Sequence, residues 1–208
     1  VETEMYERLG IDKDLAVLSQ RVERELSERF CAVDALAEEN QVKVLQAFWE
    51  NRVSETHFAG STGYGYNDRG RDVLDAVFAS VFGAEDALVR HLFTGGTHAL
   101  AVTLFGVMRP GQTLLSVTGS PYDTLLEVIG LRGEPGAGSL MEFGVNYREV
   151  ALAPDGRIDT EAALGQLDDP AVSAVFIQRS RGYRIRRALS VAEIEAFCRA
   201  AKERRPGI

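Results

Sequence analysis

The chain has 208 residues, 45% of them hydrophobic and 26% charged, which suits a globular protein with one sizeable core, one domain or one and a half, and excludes a disordered chain. Its 31 acidic and 23 basic residues give a formal net charge of -8, which argues against nucleic acid as a partner while leaving room for a local basic cluster that holds a phosphate. No apolar run approaches the ~20 residues that span a bilayer, Val1 to Tyr6 lacks the regions of a signal peptide, and Cys31 and Cys198 have neither disulfide nor zinc-ribbon spacing. A soluble cytoplasmic protein, with no membrane and no metal, is expected.

Apolar residues recur at helical spacing from Asp14 to Phe30 and again from Val33 to Trp49, predicting two amphipathic helices. Residues 59–70 carry too much glycine for a helix and too little apolar patterning for a strand, and read as an aromatic loop. Asp72 to Phe82 predicts a helix ended by Gly83, and Ala87 to Phe93 a short strand. Thr94-Gly95-Gly96-Thr97 then opens a helix over Ala99 to Met108, which Pro110-Gly111 closes before a strand at Thr113 to Val117. A helix near Thr124 to Ile129, a glycine-rich loop at 133–139 and a strand around Asn146 to Leu152 follow. Asp159 to Leu167 reads as a short helix, Val172 to Gln178 as a buried strand, and Ser190 to Lys202 as a helix with Glu193 completing a capping box. Alternating strands and helices predict an α/β three-layer domain.

Thr94-Gly95-Gly96-Thr97-His98 joins a strand to a helix N-terminus, where free N–H groups and the helix dipole favour an anion. It reads either as a phosphate cradle, with the hydroxyls of Thr94 and Thr97 as further donors, or as a tight turn capped by Thr94. GxGxxG spacing is absent. Gly119-Ser120-Pro121-Tyr122-Asp123 stands at the carboxyl end of the next strand, the edge where ligands collect in open α/β sheets; Tyr122 is either a ring that stacks on a planar group or an ordinary turn tyrosine. The third strand runs into Gln178-Arg179-Ser180-Arg181-Gly182-Tyr183-Arg184-Ile185-Arg186-Arg187, five arginines in nine residues, an anion site or a solvated loop facing acidic neighbours. Tyr64, Tyr66 and Arg69 form a smaller cluster that reaches a phosphate or packs its own loop. His57, His91 and His98 lack metal-ligand or triad partners and read as structural.

In order, Ser54-Glu55-Thr56-His57-Phe58, Thr62-Gly63-Tyr64-Gly65-Tyr66-Asn67-Asp68-Arg69-Gly70, Phe93-Thr94-Gly95-Gly96-Thr97-His98-Ala99, Thr118-Gly119-Ser120-Pro121-Tyr122-Asp123-Thr124 and Gln178-Arg179-Ser180-Arg181-Gly182-Tyr183 closely resemble the bacterial methionine gamma-lyase family, also known as aluminium resistance proteins. The resemblance runs from about Leu15 to the last residue. It implies a fold-type I pyridoxal-phosphate enzyme related to the cystathionine lyases: part of an aspartate-aminotransferase-like large domain at 59–208, preceded by a helical segment at 1–58.

Within that resemblance, Gly95, Gly96 and Thr97 look like the phosphate-binding turn and Tyr122 like the residue stacked on the pyridine ring. Tyr64 with Arg69 looks like a pair reaching the phosphate across a subunit interface of a homo-oligomer, a dimer or tetramer. Gln178 and Arg179 are expected to line the cofactor or the substrate carboxylate. The implied activity is removal of a thiol from a small-molecule sulfur amino acid, with β or γ elimination left open. The lysines, Lys13, Lys43 and Lys202, follow no strand end; the Schiff-base lysine and the aspartate facing the pyridinium nitrogen are expected beyond Ile208, and the segment alone is expected to be inactive. The absence of an initiator Met and the stop at Pro206-Gly207-Ile208 suggest a truncated chain. Rival readings are a non-enzymatic regulatory or binding protein on the same scaffold, and a nucleotide-binding module built on the Thr94 turn.

Overall fold

Three helices open the chain in the computed structural model, which describes residues 2–66 and 68–208: α1 (Glu2–Arg8), α2 (Lys13–Glu25) and α3 (Ser27–Glu50). Val1, and Asn67 of the aromatic glycine loop, lie outside the described residues. Asp12 caps α2 by accepting from the N–H of Asp14 at 2.8 Å, the usual answer to a first turn without intrahelical acceptors. The break between the two long helices falls at Leu26, earlier than the periodicity suggests. Leu26 N donates to Val22 O and Phe30 N to Leu26 O, both at 3.0 Å, so the hydrogen-bond ladder hardly lapses there.

A 3-10 turn (Glu55–Phe58) and α4 (Arg69–Phe82) follow, and α4 ends at Gly83 with φ +63°, a left-handed cap that glycine adopts without a Cβ penalty. Packing divides the chain into two compact units, Val1–His91 and Leu92–Ile208. In the first, α3 packs on α4, and Ala16, Ala47, Val77 and Asp68 are its buried residues. The amphipathic faces of α2 and α3 are real, yet Leu15, Leu18, Val22, Leu26 and Phe30 stay exposed.

The strand expected at Ala87 to Phe93 does not form. Asp75 of α4 accepts from the N–H of Val89 at 2.7 Å and pairs with the Arg90 guanidinium at 2.7 and 2.8 Å. A side-chain carboxylate thus takes the donor a β-ladder would use, and the segment is irregular. Burial, the largest single effect, pushes the Asp75 carboxyl up, but the Arg90 guanidinium and the Val89 N–H together outweigh it and hold the group below the usual carboxylate range.

The second unit is mixed α/β. Its helices and strands are α5 (Gly96–Val107), β1 (Thr113–Ser116), α6 (Asp123–Ile129), β2 (Asn146–Glu149), α7 (Thr160–Gln166), β3 (Val172–Phe176) and α8 (Val191–Arg204). The three strands are parallel in the order β2-β1-β3, with Thr113 opposite both Asn146 and Val172. All four residues of the central strand are buried, as a strand covered on both faces requires. Alternation along it feeds two apolar clusters: Leu115 and Val117 meet Ala163 of α7 and Phe197 and Ala201 of α8, while Leu114 meets Leu104 of α5 and Leu125 and Ile129 of α6. Ser190 and Glu193 form the capping box of α8, the side chain of Ser190 accepting from Glu193 N at 3.2 Å and Glu193 Oε2 from Ser190 N at 2.8 Å. Among the described residues no helix is long and apolar enough to cross a membrane.

Candidate functional site

Gly95, not Thr94, is the N-cap of α5, and no side chain caps the helix. Thr94 instead directs its N–H (3.3 Å) at Nδ1 of His98, whose ring meets Phe93 edge-on at 5.9 Å. The first-turn N–H groups of this 12-residue helix are therefore left without a side-chain acceptor, at the positive end of its dipole. A Cβ placed on Gly95 or Gly96 would meet nothing within 4 Å, so the space in front of the turn is open.

Three hydroxyls converge there. Thr97 Oγ1 lies 3.1 Å from Tyr122 Oη and 2.9 Å from Thr124 Oγ1. Thr124 belongs to α6, follows the N-cap Tyr122 by two residues, and escaped sequence reading because an exposed threonine in a helix start has no distinguishing pattern. Hydroxyls can donate as well as accept, so the cluster extends the backbone donors with side-chain ones.

The strand ends bring the next turn to the same edge. Gly119 N donates to Val150 O at 2.8 Å, and buried Ser116 donates its hydroxyl to Gly119 O at 2.6 Å, fixing a turn in which Gly119 has φ +71°. Gln178, just past β3, ties this turn down: its Oε1 accepts from Tyr122 N at 2.9 Å, its Nε2 donates to Ser180 O at 3.1 Å, and its own N–H donates to Thr118 Oγ1 at 3.0 Å. The structure thus brings Gly95, Gly96, Thr97, Tyr122 and Gln178 to one edge of the sheet, with the Gln178 amide engaged at both ends.

Beyond it the arginines divide by partner. Arg179 donates its Nε to Leu189 O at 3.1 Å, so it fastens the loop to the entrance of α8. Arg186 donates Nη2 to Gln178 O at 3.1 Å and to Ser180 O at 2.7 Å. Arg187 pairs with Glu193 and donates to Asp155 O at 3.3 Å. That ion pair, with the N–H and hydroxyl of Ser190, holds the Glu193 carboxyl at about 2.

Tyr64 and Arg69 belong to the helical unit. Tyr64 is 81% exposed, and Arg69, in the first turn of α4, lines an apolar cavity of about 460 Å³ together with Phe48, His57, Phe58 and Leu74. Asp68, the N-cap of α4, turns its carboxylate back onto the loop, accepting from Gly65 N and Arg71 Nη1, each at 3.0 Å. Gly70 packs so closely that a Cβ would stand 2.2 Å from His57 O. His57 in turn accepts from Ser54 N at 3.0 Å through Nδ1, closing the 3-10 turn. Asp68 and Gly70 were not singled out by sequence; an aspartate ahead of a helix reads as an ordinary cap.

In the second glycine-rich loop, backbone donors are taken by a side chain of the same loop. The Glu142 carboxylate accepts from the N–H groups of Gly136, Gly138 (2.6 Å) and Ser139 (3.1 Å), and these three backbone bonds hold it below the usual carboxylate range.

A family model described as methionine gamma-lyase matches residues 15–208. YnbB of Bacillus subtilis (strain 168), described as uncharacterized, is 42% identical over 199 residues, covering 96% of this chain and 47% of its own. Among solved structures, a carbon-sulfur lyase involved in aluminium resistance from Clostridium novyi NT superposes with a TM-score of 0.92 at 45% identity, over 99% of this chain and 49% of that one. A candidate cystathionine beta-lyase involved in aluminium resistance from Clostridium acetobutylicum gives 0.92 at 40% identity, over 98% and 49%. The chain spans about half the length of the relatives it matches.

Proposed function

Because the chain belongs to the methionine gamma-lyase family, we propose that it forms the cofactor-cradling part of a pyridoxal-phosphate-dependent carbon-sulfur lyase that acts on a sulfur amino acid. The observation that carries this reading is the convergence of Thr97, Tyr122 and Thr124 hydroxyls on the open, uncapped N-terminus of α5. The fold proposed for the whole is an aspartate-aminotransferase-like large domain in three layers, with residues 1–58 a helical segment ahead of it. It works in the cytoplasm as a homo-oligomer in which Tyr64 and Arg69 reach the phosphate of a neighbouring subunit.

The residues present fit such a group. Backbone N–H groups of Gly96 and Thr97 and the Thr97 and Thr124 hydroxyls suit a phosphate, and the helix dipole adds its favourable field. Tyr122, half-buried and hydrogen-bonded through both its N–H and its hydroxyl, presents a ring of fixed orientation for a planar partner. Gln178 positions that tyrosine by accepting from its N–H. When bound, pyridoxal phosphate supplies a conjugated ring that takes up the electron pair left at Cα, allowing a sulfur leaving group to depart from the β or γ carbon. Lys13 and Lys43 lie on α2 and α3, and Lys202, in the last turn of α8, bonds Ile208 O. The Schiff-base lysine is accordingly assigned to the remainder of the longer protein, and the 208 residues alone bind the cofactor without covalent attachment and release no thiol.

Titration of the chain with pyridoxal phosphate, followed by absorbance, tests the cradle. Thr97→Val is expected to weaken binding about tenfold, the loss of one hydrogen bond to a charged oxygen. Equal affinity in wild type and variant, or no saturable binding, removes the reading. Release of thiol and 2-oxoacid from a sulfur amino acid by the full-length protein then tests the reaction.

A further inference from the structure

Among the described residues, Asp68 is the one charged side chain that is buried, at 5% exposure. It is the N-cap of α4, yet its carboxylate does not cap the helix. Its carbonyl accepts from Arg71 N at 2.9 Å and Asp72 N at 3.1 Å, while Oδ2 turns the other way and accepts from Gly65 N and Arg71 Nη1. One residue thus ties the aromatic glycine loop to the first turn of α4, the turn that opens with Arg69.

The loop is gripped on both sides of Tyr64. Gly65 is held through its N–H by Asp68, and the Arg71 guanidinium paired with Asp68 lies so close to Gly63 that a Cβ there would stand 2.9 Å from Nη1. Gly63 and Gly65 take left-handed φ values of +78° and +80°, which a side chain would resist. The anchoring gives the tyrosines no cover, since Tyr64 and Tyr66 are each 81% exposed. Desolvation of a buried carboxylate offsets much of what its ion pair gains, so stability alone does not account for the contact. What the contact fixes is geometry: a backbone held in place, with its aromatic side chains in solvent, has little freedom left to lose when a partner arrives.

We propose that Asp68 is a positioning residue that sets Tyr64 and Arg69 relative to each other, presenting them as one pre-ordered pair to a phosphate held by a second copy of the chain. The proposal rests on the lyase reading above, which supplies the phosphate, and adds the group that orders its contacts from the neighbouring copy. Asp68 acts only through that pair, by way of Gly65, Arg71 and the start of α4.

The test uses the full-length protein, with pyridoxal phosphate and pyridoxal as probes that differ by the phosphate alone and are read by absorbance. Asp68→Ala is expected to weaken pyridoxal phosphate about tenfold and pyridoxal not at all, and to speed hydrogen exchange in the 62–66 segment; Asp68→Asn, which keeps an acceptor for the Gly65 N–H, loses less. If circular dichroism shows Asp68→Ala to be unfolded, Asp68→Asn carries every comparison. Mixing Asp68→Ala chains with Tyr122→Ala chains is expected to restore tight pyridoxal phosphate binding at about a quarter of the sites, because each mixed pair contains one site with both residues intact. Equal weakening of the two probes, weakening of neither, unchanged exchange in 62–66, or no recovery on mixing overturns the proposal, and saturable binding by wild type then leaves the lyase reading standing. A wild type that binds neither probe overturns both.

Discussion

In the sheet unit the four-residue β1 buries every one of its residues, whereas in the helical unit the 24 residues of α3 bury Ala47 alone. α3 carries a helical stripe of apolar residues and β1 two consecutive leucines, yet Val33 and Leu36 of α3 are exposed while Leu114 and Leu115 of β1 are buried. Periodicity decides which face of an element is apolar. Whether that face is covered depends on what other elements the chain folds against it.

The widest gap between the two units should appear on truncating a leucine. Leu115→Ala, at a site of 0% exposure, is expected to cost about 2–5 kcal/mol in urea unfolding, whereas Leu36→Ala, 60% exposed, should stay within about 0.5 kcal/mol. Comparable losses would mean that α3 is covered in solution and would break the contrast.

A tighter probe of the helical unit is its closest backbone approach. Gly70→Ala forces a Cβ against His57 O and should destabilise by about 1–3 kcal/mol, with loss of helical circular dichroism before the sheet unit unfolds. A variant as stable as wild type would show that the 3-10 turn yields freely. A smaller effect is expected from Ser190→Ala, which removes the cap of α8 and should lower unfolding free energy by about 1 kcal/mol.

The smallest signal is in pH. Glu193 is held at about 2 in the folded chain against 4.5 for a free carboxyl, so its contribution is complete above about pH 4.5 and is lost as pH falls toward 2. Carboxyl NMR of Glu193 should give a midpoint near 2; a midpoint near 4.5 would detach Arg187 and Ser190 from it in solution.

How far the sequence is legible follows the same division. Elements punctuated by glycine, proline or a capping box, such as α4, β1 and α8, can be placed to within three residues, because the signals that end them are local. The stretch from Ala87 to Phe93 has the composition of a strand, yet it is irregular, and Asp75, fourteen residues before Val89, takes one of the donors a ladder would use. Such competition lies outside any window of periodicity. At the site, the glycines of the α5 turn and Tyr122 stand out by type and position, while Thr124 does not, since its role comes from a hydroxyl 27 residues away. Arg179 and Arg186 look alike in the arginine run, and only the fold shows that one bonds Leu189 O while the other bonds the carbonyls of Gln178 and Ser180.

The carboxylate of Glu142, seated among the N–H groups of Gly136, Gly138 and Ser139, makes its loop a lock that carries its own key. The two glycine turns of the sheet unit thus differ in whether a side chain already satisfies their backbone donors, a difference that glycine content does not reveal. Because those three bonds hold Glu142 below the usual carboxylate range, acid loosens the loop only below that range, whereas Glu142→Ala strips the same N–H groups of their acceptor at any pH.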